Sequence, residues 1–130
     1  METEIKIYYE DTDCGGVVYY ANYLRFFERA RTEHIEELGV SLAAQQKKDV
    51  VFTVVKADIE YKAPAVYGDI IVVKTSIEKL KGASFVVNYE IHRKADEKLL
   101  IIGSTKMACV NPNMKPIMIP ERIRKVLEGD

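Results

Sequence analysis

Acidic and glycine residues are concentrated in the segment 10–16. It holds the acids Glu10, Asp11 and Asp13 and the glycines Gly15 and Gly16. A helix-like stretch follows it, and the first backbone N–H groups of a helix are unpaired and carry about half a positive charge of dipole. A carboxylate beside such a helix end, with glycines that let a ligand approach the backbone, suits attack on an acyl carbonyl.

The same residues have a second interpretation. Acids before a helix often stabilise its N-terminus by capping it, and glycines often only allow the chain to turn. On these physical grounds alone, capping is the commoner role of an acid-rich segment in this position. Both interpretations therefore stay open at this point.

Other candidate nucleophiles and metal ligands are weaker. Cys14 follows Asp13, and a cysteine beside acids lacks the base or positive charge that favours its thiolate. Cys109 lies inside an apolar stretch and is expected to be a small core residue. His34 and His92 have no metal-ligand spacing, so we expect no metal site.

A helix over residues 20–38 is predicted to position the acidic segment. Its apolar residues fall on one half of a helical wheel: Leu24, Phe26, Phe27, Ala30, His34, Ile35 and Leu38. Gly39 then supplies a stop signal. Before the helix, residues 5–9 form a short β-prone run, and residues 10–16 are predicted to be a loop.

Strands are predicted in most of the remaining chain, over residues 50–62, 71–78, 85–91 and 99–110, with short turns between them. A last helix is predicted over residues 120–127, beginning at a proline. One long helix followed by consecutive strands predicts an α+β fold, with an antiparallel sheet curled around that helix. The length of 130 residues predicts a single domain over 1–130.

The composition is that of an ordinary globular protein, with 48% hydrophobic and 30% charged residues. The formal charge of −1, from 19 basic and 20 acidic side chains, favours neither nucleic acid nor an anionic membrane as a partner. No apolar run approaches the roughly 20 residues of a transmembrane helix, and the first residues do not resemble a signal peptide. With two distant cysteines, we expect a cytoplasmic protein without a disulfide.

A sequence signature favours a catalytic role for the acidic segment over a role in capping the helix. From Tyr9 to Arg31 the chain reads Tyr-x-x-x-Asp-x-x-Gly-Val-Val-Tyr-x-x-Asn-Tyr, followed by Phe-x-Glu-x-Ala-Arg. This resembles the signature of hotdog-fold acyl-CoA thioesterases, the group of 4-hydroxybenzoyl-CoA thioesterase and the thioesterases associated with the Tol–Pal system. The resemblance implies a hotdog fold and hydrolysis of an acyl-CoA with a short-chain aliphatic or aromatic acyl group.

The resemblance also implies roles for individual residues. Asp13 matches the catalytic aspartate, which acts as nucleophile or as base for water. Tyr20 matches the residue whose backbone N–H polarises the thioester carbonyl, and Tyr9 and Gly16 are expected to contact substrate. Tol–Pal-associated members usually have a histidine at the position of Tyr20, so we expect a mechanism that does not depend on histidine.

Lys79, Lys81 and Ser84 match a region where the family binds the phosphates of the coenzyme A nucleotide. Lysine suits this role because it meets phosphate as a point charge. The alternative is a solvated hairpin tip whose lysines only add solubility. Coenzyme A is part of the substrate, and no cofactor is expected.

The resemblance and the unpaired strand edges of a curled sheet predict a homodimer or homotetramer. Two other functions remain open. A hotdog hydratase or dehydratase would need a histidine near the helix, and a non-catalytic acyl-CoA or acyl-carrier-protein binding module would share the binding residues. The acyl pocket is expected to draw on Tyr20, Tyr23, Tyr61 and Phe85, unless these residues belong to the core.

Overall fold

The protein is described by a computed structural model for residues 1–129. Five strands and three α-helices follow one another along the chain. In order, they are β1 (Glu2–Lys6), α1 (Asn22–Glu37), α2 (Leu42–Lys47), β2 (Val51–Tyr61), β3 (Ile70–Glu78), β4 (Ser84–Arg93), β5 (Leu99–Val110) and α3 (Glu121–Glu128). A short 3₁₀ turn, Tyr9–Asp11, lies between β1 and α1.

The five strands form one antiparallel sheet in the order β1-β3-β4-β5-β2. Strands β3, β4 and β5 are the inner three, and their residues alternate between buried and more exposed, as expected when one face packs on a core. The edge strand β2 has a bulge between Val54 and Lys56. One long helix on an antiparallel sheet confirms the predicted α+β hotdog architecture.

Helix α1 packs its apolar face against the sheet, and Phe27 makes a close contact there. Its ring stacks on that of Tyr89 from β4, with centroids 4.0 Å apart and planes 9° from parallel. Gly103 of β5 lies beneath the same ring. A Cβ atom at this position would lie 2.5 Å from the Phe27 ring, so only glycine lets the helix approach so closely.

A buried polar contact lies one turn further along α1. The Arg31 guanidinium donates a hydrogen bond to the Tyr89 hydroxyl at 3.0 Å. The Tyr89 hydroxyl in turn lies 2.7 Å from Thr105 Oγ1. Buried polar groups of this kind need defined partners, so the contact fixes the rotation of α1 relative to β4 and β5.

Several predicted boundaries were wrong. The first strand is Glu2–Lys6, not residues 5–9, because its pairing with β3 runs from Glu2 opposite Lys74 to Lys6 opposite Ile70. The loop predicted for residues 10–16 contains the end of the 3₁₀ turn. Helix α1 begins at Asn22, so Tyr20 lies in the turn before it and not within it.

Helix α2 was not predicted at all. It has six residues, none of them buried, so it leaves no apolar periodicity in the sequence. Its signal is local, because the Ser41 side chain accepts a hydrogen bond from the Ala44 N–H at 3.1 Å. This is N-terminal capping.

Two further expectations concern the cysteines and the membrane. Cys14 is exposed and Cys109 is buried, and both are free thiols. Burial raises the pKa of the Cys109 thiol, in keeping with a core role. Within residues 1–129, no helix combines the length and the apolar character needed to cross a bilayer.

Candidate active site

The acidic segment folds back on itself as a small hairpin. Thr12 and Val18 face each other in an antiparallel bridge, and the Asp13 N–H donates to the Val17 carbonyl at 2.9 Å. The turn is closed by the Gly16 N–H, which donates to the Asp13 carbonyl at 3.0 Å. Gly16 has a φ of +83°, a backbone conformation that favours glycine.

The Asp13 carboxylate lies at the tip of this hairpin. Its Oδ1 accepts a hydrogen bond from the Gly15 N–H at 2.8 Å. Within residues 1–129, no donor reaches Oδ2. One oxygen is therefore held by the turn, which orients the carboxylate, and the other is left available for chemistry.

The turn between the hairpin and α1 leaves the Tyr20 amide without an acceptor. The Tyr19 N–H donates to the Asp11 carbonyl at 2.9 Å, and the Asn22 N–H donates to the Tyr19 carbonyl at 2.8 Å. Among the described residues, no carbonyl or side chain accepts the N–H of Tyr20. It is an unpaired donor beside a helix N-terminus, which is the arrangement of an oxyanion site.

Asp13 and Tyr20 line the same pocket, which has a volume of about 340 Å³. Its other walls come from the hairpin, from α1, and from the end of β2 with the loop after it: Val17, Val18, Tyr23, Tyr61, Lys62, Ala63 and Pro64. The structure thus brings together the two residues predicted to carry the chemistry. Most of the remaining lining is apolar or aromatic.

Three tyrosines pack edge to face along one wall. The Tyr61 ring lies 6.5 Å from that of Tyr20 and 5.9 Å from that of Tyr23, measured between centroids. The Tyr61 hydroxyl donates to the Tyr20 carbonyl at 3.2 Å. Burial raises the pKa of both Tyr61 and Tyr23 above the ordinary value, so both phenols are neutral donors at neutral pH.

The loop after β2 pairs with the hairpin through a bridge between Val17 and Val66, and Arg93 of β4 holds this loop in place. Its Nη2 donates to the Pro64 carbonyl at 2.8 Å, and its Nε donates to Asp69 Oδ2 at 3.2 Å. A side-chain hydrogen bond to Asp96, at 2.8 Å, is the main reason that the pKa of Arg93 is raised. A further hydrogen bond joins the hairpin to this loop, because the Val18 N–H donates to the Ala65 carbonyl at 2.9 Å.

Lys62 is the cation of this pocket, and it is already paired. Its Nζ lies 2.8 Å from Glu60 Oε2. The hydrogen bond from Lys62 lowers the pKa of the Glu60 carboxyl. The carboxylate of Asp13 is therefore the unpaired charge that the lining presents to a ligand.

Three of the residues expected near the acyl group do not line this pocket: Tyr9, Gly16 and Phe85. Gly16 lies in the turn of the hairpin, beside the pocket residue Val17. Tyr9 is 78% exposed, and its ring packs at 5.9 Å from that of Tyr67 and does not line the pocket. Phe85 is buried and packs on Phe52 with ring centroids 5.6 Å apart, so it belongs to the core.

Lys79, Lys81 and Ser84 line a second groove, of about 350 Å³. The groove shares no residue with the pocket of Asp13 and Tyr20. Its other residues are Lys56, Asp58, Glu78, Val86, Asn88, Ser104 and Lys106.

The groove therefore has four lysines, of which the sequence predicted two. Lys56 of β2 lies directly opposite Lys106 of β5 in the sheet, and this pairing became visible only with the register. Asp58 lies 3.7 Å from Lys56 and offsets part of the positive charge. Within residues 1–129, no cluster of three His, Cys, Asp or Glu side chains has the arrangement of a metal site.

Gly16→Ala should destabilise the protein by about 1–2 kcal/mol, because an L-residue with a Cβ is strained at positive φ. Within residues 1–129 and apart from its two chain neighbours, no residue has an atom within 4 Å of a Cβ built at Gly16, so the loss of stability reports backbone strain and not a clash. Gly16→Asn is the control and should lose less, since asparagine tolerates this conformation better. Urea unfolding measures both, and a Gly16→Ala variant as stable as the wild type would contradict the prediction.

Comparisons with known proteins identify the family of the chain. The model of the family described as the thioesterase superfamily matches residues 15–100. The acyl-CoA thioester hydrolase YbgC of Escherichia coli is 41% identical over 120 residues, which cover 92% of this chain and 89% of that protein. The match to the relative extends over almost the whole chain, and the family model covers about two thirds of it.

Solved structures have the same architecture. A hypothetical protein from Thermus thermophilus superposes with a TM-score of 0.92 at 30% identity, over 98% of this chain and 97% of that one. The DHNA-CoA thioesterase from Staphylococcus aureus superposes with a TM-score of 0.87 at 36% identity, over 90% and 78% of the two chains. The predicted family is confirmed: the chain belongs to the thioesterase superfamily and has its hotdog fold.

Proposed function

We propose that the protein hydrolyses an acyl-CoA thioester with a short-chain aliphatic or aromatic acyl group to the free acid and coenzyme A. The proposal rests on the pocket that Asp13 and Tyr20 share and on the Tyr20 N–H, which has no acceptor within residues 1–129. The name of the Escherichia coli relative supports the thioester and its carrier.

In the proposed reaction, the thioester carbonyl oxygen accepts a hydrogen bond from the Tyr20 N–H. Asp13 then either attacks the carbonyl carbon, giving an acyl-enzyme anhydride that water hydrolyses, or takes a proton from a water that attacks it. Both routes place negative charge on the carbonyl oxygen, where the amide stabilises it. In both, the C–S bond breaks, the sulfur leaves with a proton as coenzyme A, and water supplies the oxygen of the acid.

The pocket favours a compact acyl group. A volume of about 340 Å³ accommodates one or two rings or a short chain, and the edges of Tyr20, Tyr23 and Tyr61 suit a flat partner. The Staphylococcus aureus relative is named as a thioesterase for DHNA-CoA, which supports the aromatic alternative.

Asp13→Asn should lower kcat for acyl-CoA hydrolysis by about 10²–10⁴-fold, the contribution typical of a positioned acid or base. Asparagine keeps the shape of the side chain and its acceptor for the Gly15 N–H, but it neither attacks nor accepts the proton. Glu10→Gln, which neutralises an exposed acid three residues earlier, is the matched control and should keep wild-type kcat. Thiol release from short aliphatic, long aliphatic and aromatic acyl-CoAs is the measurement.

Near-normal turnover by Asp13→Asn would refute the role of Asp13. Wild-type protein that binds acyl-CoA in calorimetry but releases no thiol from any substrate would instead indicate a binding module.

We further propose that the lysine groove binds the phosphates of the coenzyme A nucleotide. Lys79, Lys81 and Ser84 offer two cations and a hydroxyl to an anion. The groove and the acyl pocket share no residues within one chain. We therefore propose that the groove of one subunit binds the nucleotide of an acyl-CoA whose acyl group lies in the pocket of the partner subunit.

Replacing both Lys79 and Lys81 by alanine should raise KM for an acyl-CoA by about 3- to 10-fold, and kcat should change little. The KM for the matching acyl-pantetheine, which lacks the nucleotide phosphates, should not change. Lys98→Ala, on an exposed turn elsewhere, is the control for a general loss of positive charge. An equal rise in KM for both substrates would contradict the nucleotide role.

Assembly as a homodimer or homotetramer is part of the proposal. The edge strand β2 is 11 residues long and has exposed valines at its bulge, with Val54 43% and Val55 56% exposed. A long exposed edge of this kind pairs readily with a second strand.

Light scattering at micromolar concentration should therefore give at least twice the chain mass of 14.8 kDa. A monomer mass under these conditions would refute the assembly and, with it, the proposed sharing of the site between subunits.

A further inference from the structure

A second aspartate, Asp11, lies two residues before Asp13 and has a different environment. It is only 8% exposed. Its Oδ1 accepts a hydrogen bond from Asn22 Nδ2 at 2.8 Å, and its Oδ2 accepts one from the Tyr8 N–H at 2.8 Å. Both oxygens of this carboxylate are therefore occupied by donors.

The backbone of Asp11 is held as firmly as its side chain. Its N–H donates to the Tyr8 carbonyl at 3.0 Å, and its carbonyl accepts the Tyr19 N–H at 2.9 Å. Asp11 thus joins both ends of the hairpin that carries Asp13. Through Asn22, the first residue of α1, it also joins the hairpin to the helix.

We propose that Asp11 and Asn22 are positioning residues for thioester hydrolysis, and we call their hydrogen bond the Asp11–Asn22 clamp. Asp13 follows one end of the clamp by two residues, and Tyr20 lies between Tyr19 and Asn22 at the other end. The clamp therefore sets the placement of the reactive carboxylate relative to the amide donor. This inference rests on the proposed function, because a placement matters only if both groups act on one substrate.

The expected effect follows from geometry. Misplacing a reactive group by about 1 Å costs up to about 10²-fold in rate, whereas binding of the rest of the substrate involves other walls of the pocket. Loss of the clamp should therefore lower kcat and leave KM almost unchanged. If the clamp contributed only to the stability of the protein, its loss would leave kcat and KM of the folded enzyme unchanged.

Asn22→Ala removes the donor and keeps a residue that favours helix. The double variant Asp11→Asn with Asn22→Asp restores the hydrogen bond with reversed polarity, since the amide of residue 11 then donates to the carboxylate of residue 22. We expect Asn22→Ala to lower kcat by about 10- to 100-fold, with KM within about threefold. The double variant should recover kcat to within about threefold of wild type.

Amide hydrogen exchange followed by NMR supplies a readout that needs no activity. Opening of the hairpin should accelerate exchange of the Tyr19 and Asp13 amides in Asn22→Ala, and the double variant should restore the slow rates. Far-UV circular dichroism confirms that each variant is folded before it is assayed.

Unchanged kcat in Asn22→Ala would overturn the clamp, and so would unchanged exchange or a double variant as impaired as the single one. A wild-type protein without thioester turnover would refute the proposed function instead, and the exchange rates alone would then decide whether the clamp holds the hairpin.

Discussion

The close approach of α1 to the sheet at Gly103 is the constraint on which the other contacts depend. A Cβ at this position would meet the Phe27 ring at 2.5 Å and the Asp58 carbonyl at 3.0 Å. With glycine there, the Phe27 ring lies between backbone on one side and the Tyr89 ring on the other. Interiors are packed at crystal-like density, so this contact fixes both the height and the rotation of the helix.

The orientation of the helix determines where its N-terminus lies. Tyr23, one turn before Phe27, is almost fully buried and lines the pocket together with Ala63 and Pro64 of the loop after β2. The helix end is thereby attached to the loop that Arg93 holds from β4. The unpaired Tyr20 amide thus results from packing that begins in the core, because no neighbouring carbonyl is in a position to accept it.

The sequence predicted the elements much better than their contacts. Alternation in the strands and the helical period of α1 were sufficient for the α+β class, and the Tyr9–Arg31 signature was sufficient for the family. Helix α2 has six residues, and Leu42 packs partly buried against the core, which is too little for a periodic pattern to mark the helix. The pairing of Lys56 with Lys106 depends on strand register, which arises from contacts between distant parts of the chain.

The roles of the two aspartates differ for a reason that sequence does not contain. Both precede the helix and both fit the capping interpretation, yet only Asp11 has both oxygens occupied by donors from its surroundings. Asp13 has one oxygen held by the Gly15 N–H and faces an aromatic pocket. The Asp11 side chain accepts the Tyr8 N–H at the start of the 3₁₀ turn, and helix α1 has no side-chain cap among the described residues. Capping by an acid therefore occurs at the short turn and not at the long helix, and it involves a different aspartate from the one that lines the pocket.

The backbone and the side chain of Tyr20 also have separate roles in the proposed reaction. Its contribution to the proposed chemistry is a main-chain N–H, which does not depend on the side chain, while its ring forms part of the pocket wall with Tyr61. Within the site, the proposed acyl selectivity therefore resides in aromatic side chains, and the proposed carbonyl activation resides in the backbone. Substitution at the ring is then expected to change which acyl group fits and to spare the donor, provided that the Tyr61 hydroxyl still holds the carbonyl of residue 20.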